Sequence, residues 1–177
     1  MKHSMKSSGA VLRLCLLVFA GLLFTACDNK KTPTVNYQEI EAARTAMVNW
    51  LECEECTEGE LKAVLVHSKR LQPMFMSTLK KGVAPASTEL YRLELEKRYD
   101  ELVAYSEKHP RSKPTLPKEK FVQLYLDKLT AQYQSRAAKA LAAIGGEESK
   151  RALQEALQTT RAEDVKMTIK QALEEAK

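Results

Sequence analysis

Apolar residues recur every three or four positions along most of the chain after residue 36, which is the spacing of amphipathic helices. No stretch alternates apolar and polar residues with enrichment in Val, Ile and Thr, as a half-buried strand would. The sequence therefore predicts an all-α fold of about six to seven helices. Their predicted ranges are 37–52, from 58 onwards, about 71–80, a helix that Ser87 or Thr88 caps and that reaches about 107, 118–144, 147–159 and 163–175.

Turn and capping residues predict where these helices begin and end. The stretch 57–60, Thr-Glu-Gly-Glu, has the spacing of a capping box at the start of the second helix. Residues 67–70 are predicted to connect the second helix to the third, with Pro73 in the first turn of that helix and Gly82 after its end. The segment 109–117 holds three prolines and is predicted as a loop.

The 118–144 helix is predicted to lie at the centre of the fold. Phe121 and Leu124 widen its apolar stripe, so that it faces neighbours on two sides, and we expect it to pack antiparallel to the helix before it. The inward stripe of that preceding helix is predicted at five positions, flanked by Leu90, Leu93 and Val103; they are Tyr91, Leu95, Tyr99, Leu102 and Ser106. The stripe of the first helix, from Tyr37 to Trp50, is expected to face the core. A set of tyrosines either lines a groove or, as we expect, fills interfaces between helices: Tyr91, Tyr99, Tyr105, Tyr125 and Tyr133.

The most apolar run of the chain lies near its N-terminus, at residues 14–24, behind three basic residues. It is shorter than the about 20 residues that span a bilayer, but it has the length of the apolar segment of an export signal. The run leads into Phe24-Thr25-Ala26-Cys27. This arrangement resembles a bacterial lipoprotein signal with its lipobox, although Phe24 stands where that family usually has Leu, Val or Ile.

The resemblance implies cleavage before Cys27 and acylation of its thiol, so that the covalent lipid anchors the chain to a membrane. Asp28-Asn29 resembles the sorting signal that keeps such proteins in the inner membrane, facing the periplasm, with the outer membrane as the alternative. An ordinary cleaved signal and an uncleaved anchor are the competing interpretations. The chain then divides into a signal peptide at 1–26, a lipidated N-terminus and tether at 27–36, and a helical domain at 37–177.

The charge balance argues against one class of partner. Three of the 28 Lys and Arg residues precede Cys27 and none of the 23 Asp and Glu residues does, so the rest of the chain carries a net charge of +2. Lys and Arg are interleaved with Glu along nearly every segment. Because nucleic-acid binding requires a clustered basic face, we expect no nucleic-acid partner.

Residues 136–157 begin with an Arg and paired Ala, followed by Ala-Leu and Ile-Gly, and then by a second Ala-Leu and a further Leu at helical spacing. The stretch resembles a HEAT-like repeat of the PBS-lyase type, residues 164–173 look like the first helix of another unit, and 42–80 is similar in layout. The small Ala residues let neighbouring helices approach, and Gly145-Gly146 permits a sharp turn. The resemblance implies a short α-solenoid, a fold that usually binds proteins, and an Ala-rich helical bundle is the alternative.

Cys53 and Cys56 form the candidate chemical pair, since the lipoprotein interpretation assigns Cys27 to the lipid. We expect a structural disulfide, because exported proteins meet an oxidising environment. Five neighbouring glutamates argue against a redox-active dithiol, because negative charge raises the pKa of a thiol. A metal site would recruit His67 or a glutamate, but a second cysteine pair is missing. Haem attachment is excluded, because Thr57 rather than His follows Cys56.

The sequence carries no phosphate-binding glycine loop, nucleophile elbow or Ser-His-Asp grouping, so we expect no catalytic residue and no enzymatic activity. We also expect no metal and no cofactor besides the lipid on Cys27. The sequence thus predicts an envelope lipoprotein that acts as a protein-interaction module toward a partner of unknown identity. The alternatives are redox or metal handling through Cys53 and Cys56, and a passive structural role.

Overall fold

The computed structural model describes residues 36–176, so the predicted signal peptide, Cys27, Asp28, Asn29 and all of the tether before Asn36 lie outside the described residues. Within that range the chain forms seven α-helices, one 3₁₀ helix and no strand, which confirms the all-α prediction. The helices are α1 Tyr37–Glu52, α2 Glu58–Val66, α3 Ser68–Lys81, α4 Pro85–Lys108, α5 Lys118–Ile144, α6 Gly146–Thr159 and α7 Glu163–Glu175, and the 3₁₀ helix is Pro110–Ser112.

Local signals set several helix ends as predicted. In the capping box, the Gly59 amide donates to Thr57 Oγ1 at 3.1 Å and the Thr57 amide donates to Glu60 Oε2 at 2.8 Å. These bonds satisfy backbone groups that a helix start leaves unpaired. Gly82, with φ of 70°, follows α3, and Gly145, with φ of 72°, follows α5. Glycine adopts these positive φ values without the steric cost that other residues meet.

The start of α3 differs from the prediction. The helix begins at Ser68 rather than at about residue 71, and His67 alone connects it to α2. The His67 carbonyl accepts from the Arg70 and Leu71 amides, at 3.0 Å each, which continues the helical hydrogen bonding to the junction. Pro73 consequently lies in the second turn of α3 and not in the first.

The start of α4 also differs from the prediction. The helix begins at Pro85, and neither Ser87 nor Thr88 caps it. The fixed φ of proline suits the first position of a helix, where its missing N–H leaves no hydrogen bond unmade. Thr88 is already helical, and its Oγ1 donates back to the Ala84 carbonyl at 3.1 Å.

Helix α5 lies at the centre of the fold and packs against each of the other six helices in the described range, as predicted. Ala137, Ala138 and Ala140 on its C-terminal half have no exposed surface, and their small side chains let neighbouring helices approach. Trp50 is buried in the same core, as expected, whereas Tyr37 is 76% exposed because it precedes the first buried turn of α1. The largest fully buried side chains include Phe75, Leu71, Leu141, Leu153 and Ile169.

Helices α4 and α5 run antiparallel, as predicted. The Tyr91 and Tyr133 hydroxyl oxygens are 3.4 Å apart, and further along α4 the Tyr99 ring lies 5.3 Å from the Phe121 ring. Residue numbers therefore rise along α4 as they fall along α5. The predicted inward stripe of α4 is half-buried at each of its positions, which are Tyr91, Leu95, Tyr99, Leu102 and Ser106.

The pairing of α4 with α5 forms an arm that stands out from the core. We define the arm as α4, the 109–117 loop and residues 118–132 of α5. Among the described helices α4 packs on α5 and the 3₁₀ helix, with a side-chain hydrogen bond from Tyr91 to Glu52 on α1 near its start, and none of its 24 residues is buried. The continuous core begins at Tyr133 on α5, whereas Val122 and Leu126 are buried outside it.

Candidate functional site

The predicted cysteine pair lies in the turn between α1 and α2. The sulfur atoms of Cys53 and Cys56 are 1.97 Å apart, at disulfide distance, and their Cα atoms are 5.3 Å apart. Cys53 is half-buried, whereas Cys56 is exposed. The Cys56 sulfur is therefore the one that solvent and other proteins reach first.

Arg136 on α5 holds the end of α1 next to this turn. Its guanidinium donates through Nη1 to the Leu51 carbonyl and through Nη2 to the Cys53 carbonyl, two acceptors that the helix leaves unpaired. Trp50 Nε1 donates in return to the Arg136 carbonyl at 2.9 Å. Burial lowers the pKa of the Arg136 guanidinium, which nevertheless stays charged at neutral pH. The disulfide turn is thereby attached to the central helix.

Glu52 joins three helices at the root of the arm. The Tyr133 hydroxyl donates to Glu52 Oε1 at 2.7 Å, and the Tyr91 hydroxyl donates to the same oxygen at 3.1 Å. Burial raises the pKa of Tyr133, and its hydrogen bonds with Tyr91 and Glu52 raise it further. The sequence gives no sign of this cluster, because its members lie on α1, α4 and α5 and no local spacing links them.

The cysteine turn is strongly acidic. Residues 52–60 hold five glutamates and no Lys or Arg. Glu54 and Glu55 are exposed, and neither forms an ion pair within the described part of the chain. The pKa of Glu60 is lowered by its hydrogen bond from the Thr57 side chain and then by that from the Thr57 backbone. The exposed side of the cysteine turn is therefore negatively charged.

The far end of the arm is basic. Residues 108–120, which we call the tip, hold five Lys or Arg side chains and one carboxylate. Lys118 Nζ contacts Asp100 Oδ2 at 2.7 Å. The other four cations are exposed and form no ion pair among residues 36–176; they are Lys108, Arg111, Lys113 and Lys120.

The arm also exposes apolar side chains. Leu90 is 69% exposed and Leu93 is 55% exposed, both on the side of α4 that faces away from α5. The Tyr105 ring stacks on the His109 ring with centroids 4.0 Å apart. Further exposed apolar side chains on the arm are Val103, Leu124 and Tyr125.

Some of the five tyrosines fill an interface between helices, as expected, and others are exposed. Tyr133 is buried, and Tyr91 and Tyr99 are half-buried between α4 and α5, so these three fill a helix interface as expected. Tyr105 and Tyr125 are exposed, and the expectation is wrong for them. They lie toward the tip, where no third helix of the described range covers the pair α4 and α5.

Residues 36–176 contain no group of three or more His, Cys, Asp or Glu side chains placed to hold a metal ion. None of the helices in this range combines the length and the apolar composition needed to cross a membrane. A cleft of about 330 Å³ is bordered by Trp50, Leu61, Lys139, Thr168 and Glu175, among others. Its lining contains both apolar and polar side chains.

A comparison of the chain with protein-family models, with curated proteins and with solved structures finds no match. The function is therefore argued from the residues and their geometry.

Proposed function

We propose that this chain is a lipid-anchored protein of the cell envelope that acts as a non-enzymatic protein-interaction module. The observation that carries the interaction role is the arm. Helix α4 extends over 24 residues, about 36 Å at 1.5 Å per residue, without burying one of them. A helix of this length that displays Leu90 and Leu93 to solvent is typical of a surface that another protein covers.

The sequence supports the membrane anchor. The run at 14–24 and the Phe24-Thr25-Ala26-Cys27 stretch resemble a lipoprotein signal, and the covalent lipid on Cys27 would be the membrane attachment. Asp28 and Asn29 favour the inner membrane, facing the periplasm. The HEAT-like resemblance of residues 136–157 supports protein binding, since these residues form the end of α5, a glycine turn and α6.

The anchor is tested by labelling cells that express the full chain with radioactive palmitate. We expect label on the protein and its recovery in the inner-membrane fraction. A Cys27→Ala variant should lose both. Label that survives in the variant, or a wild-type protein found in the soluble fraction, would contradict the lipid anchor.

The interaction role is tested by in-cell chemical cross-linking of the full chain, followed by affinity capture from membranes. The double variant Leu90→Ser with Leu93→Ser removes the apolar side chains of α4, and we expect it to lose a partner that the wild type retains. Met167→Ser is the matched control, since Met167 is 66% exposed on α7, outside the arm. Equal capture by all three proteins would contradict binding through the arm.

The exposure of Cys56 favours thiol–disulfide exchange as the second candidate function. A thiolate of a client protein would attack Cys56 Sγ, forming a mixed disulfide and releasing Cys53 as the thiolate. Acid quenching of intact cells followed by alkylation traps such an adduct. An adduct that is lost in a Cys56→Ser variant would support exchange, and its absence would leave the disulfide as structural.

A further inference from the structure

The face of α4 that points away from α5 forms one continuous stripe, which we call the outer face. Its members follow helical spacing, and every one of them is exposed; they are Leu90, Leu93, Glu94, Lys97, Glu101, Ala104, Tyr105 and Lys108. No helix of the described range packs against this stripe. It carries apolar residues near both ends and charges of both signs between them.

The order of residues on the outer face is self-complementary. When two α4 helices lie antiparallel about a two-fold axis at position 99, each residue faces the one equally far on the other side of that position. Leu93 then faces Tyr105 of the second copy, and Lys97 faces Glu101. Leu90 faces the aliphatic stem of Lys108, which covers apolar surface while its charge stays in water. Each of these contacts occurs twice.

The two ends of the arm are complementary as well. Tyr91, which hydrogen-bonds Glu52 at the root, is 17 residues from Lys108, so the acidic turn and the basic tip are separated by about 26 Å along α4. The antiparallel arrangement brings the tip of each copy beside the root of the other. The tip cations and the carboxylates of Glu54 and Glu55, which all lack ion pairs within residues 36–176, then lie at the same end of the paired arms, so that their opposite charges attract one another.

We propose that two copies of this chain pair through the outer faces of α4, with the arms antiparallel and the tip of each copy level with the acidic turn of the other. A two-fold contact of this kind uses the same surface on both copies and therefore closes as a dimer. The inference rests on the proposed function, because it names the partner that the interaction module binds.

The charges of the outer face favour a second copy over a membrane surface. Anionic lipid headgroups attract basic segments, but Glu94 and Glu101 lie on the same stripe as Lys97 and Lys108. Bringing this face against anionic lipid would place those carboxylates next to like charges. An antiparallel second copy instead presents a cation to each Glu101.

The contact is tested in the full chain in cells, with the photo-cross-linking amino acid p-benzoylphenylalanine in place of Tyr105. We expect a cross-linked species of twice the mass, with peptide mapping that joins position 105 to residues 90–97 of a second copy. The same amino acid in place of Met167, which is equally exposed but lies on α7, should give no such species.

Charge reversal tests the register. Lys97 also pairs with Glu101 of its own helix, with Nζ 3.8 Å from Oε1. Lys97→Glu alone and Glu101→Lys alone break this pair and turn two attractive contacts between the copies into repulsive ones, so we expect the dimer yield to fall about tenfold. The double variant Lys97→Glu with Glu101→Lys should restore the yield. Co-expression of the two single variants should restore it too, because opposite charges then meet between the copies while the pair within each helix stays broken. Lys62→Glu is the matched control, because it breaks a comparable exposed pair, Lys62 with Glu58 at 3.5 Å, on α2. It should leave the yield unchanged.

The outcomes separate this inference from the proposed function. Cross-links from position 105 to a different protein would overturn the dimer and leave the interaction module standing. Cross-links to lipid alone, or none to any protein, would overturn both. A dimer whose yield is insensitive to Lys97→Glu, or is not restored by the double variant, would overturn the proposed register.

Discussion

Gly82 joins α3 to α4 and so sets the root of the arm, which makes Gly82→Ala an informative perturbation. The residue is buried, with φ of 70° and ψ of −137°, and its amide donates to the Thr78 carbonyl at 2.7 Å. A Cβ atom built on it would lie 2.5 Å from Cγ2 of Thr130 on α5. Alanine here meets both an unfavourable backbone conformation and a steric clash.

The two effects have separate magnitudes. A non-glycine residue held in this backbone region costs about 1–3 kcal/mol. Forcing an extra methyl group into a packed contact adds about 1–3 kcal/mol. We therefore expect Gly82→Ala to lower the free energy of unfolding by about 2–6 kcal/mol. Gly145→Ala is the matched control, since Gly145 has φ of 72° and its Cβ would meet no atom within 4 Å. It should cost about 1–3 kcal/mol.

The assay is urea unfolding of the full chain, followed by circular dichroism at 222 nm. Thr130→Ser removes Cγ2 and keeps the hydroxyl, so it relieves the clash and leaves the backbone conformation unchanged. In the Thr130→Ser background, Gly82→Ala should cost about as much as Gly145→Ala does in the wild type.

Two results would refute this reasoning. The first is an equal cost of Gly82→Ala and Gly145→Ala to within about 0.5 kcal/mol, the limit of additivity between independent sites. The second is an unchanged cost of Gly82→Ala in the Thr130→Ser background. Either result would mean that the junction moves to accommodate the methyl group and that contact with Thr130 does not position the arm.

Three further predictions concern the cysteine turn. Arg136→Met removes the charged donor from two carbonyl oxygens at the end of α1, of which Leu51 keeps only the longer bond from Gln132 Nε2 at 3.4 Å, and should lower the free energy of unfolding by about 1.5–3 kcal/mol in the same urea assay; a loss under about 0.5 kcal/mol would contradict its capping role. Replacing Cys53 and Cys56 together by Ser should cost about 2 kcal/mol or less, since the disulfide closes a very small loop, and a larger loss would show that it does more than close that loop. The pKa of Glu60 is lowered from its ordinary value of 4.5, so its stabilising contribution is present above that pH and is lost as the pH falls through the folded-state pKa. Thr57→Val should return this pKa toward 4.5 in a carboxylate NMR titration, and an unchanged pKa would contradict the hydrogen bond as its cause.

The sequence predicted those parts of the fold that depend on neighbouring residues. The bounds of α1, α5 and α7 agree with the prediction, and so does the capping box before α2. Apolar periodicity and capping residues involve positions within one or two turns of a helix, so they can be recognised in the sequence without knowledge of the fold. The predicted starts of α3 and α4 each lie about three residues too late, because a cap or a proline marks a possible helix start, whereas the backbone hydrogen bonds at the junction decide the actual one.

Contacts between helices cannot be predicted from such local patterns. The Glu52, Tyr91 and Tyr133 cluster and the Arg136 cap each join residues more than 35 positions apart. Periodicity identified which side of α4 faces inward, but it carried no information on whether a third helix covers the opposite side. In the sequence, Leu90 and Leu93 are predicted only to flank the inward stripe of α4. In the structure both side chains are exposed on the arm.

The sequence by itself determined an all-α domain, the positions of most of its helices and the central place of α5. These follow from local hydrogen bonding and amphipathic spacing, which act over short stretches of chain. The expected disulfide between Cys53 and Cys56 rested instead on the number of cysteines and on the oxidising environment of exported proteins. Only the tertiary structure decided that α4 packs mainly on α5 and presents its outer face to solvent. That outcome depends on how all the other helices share the surface of α5, which is a property of the whole packed domain.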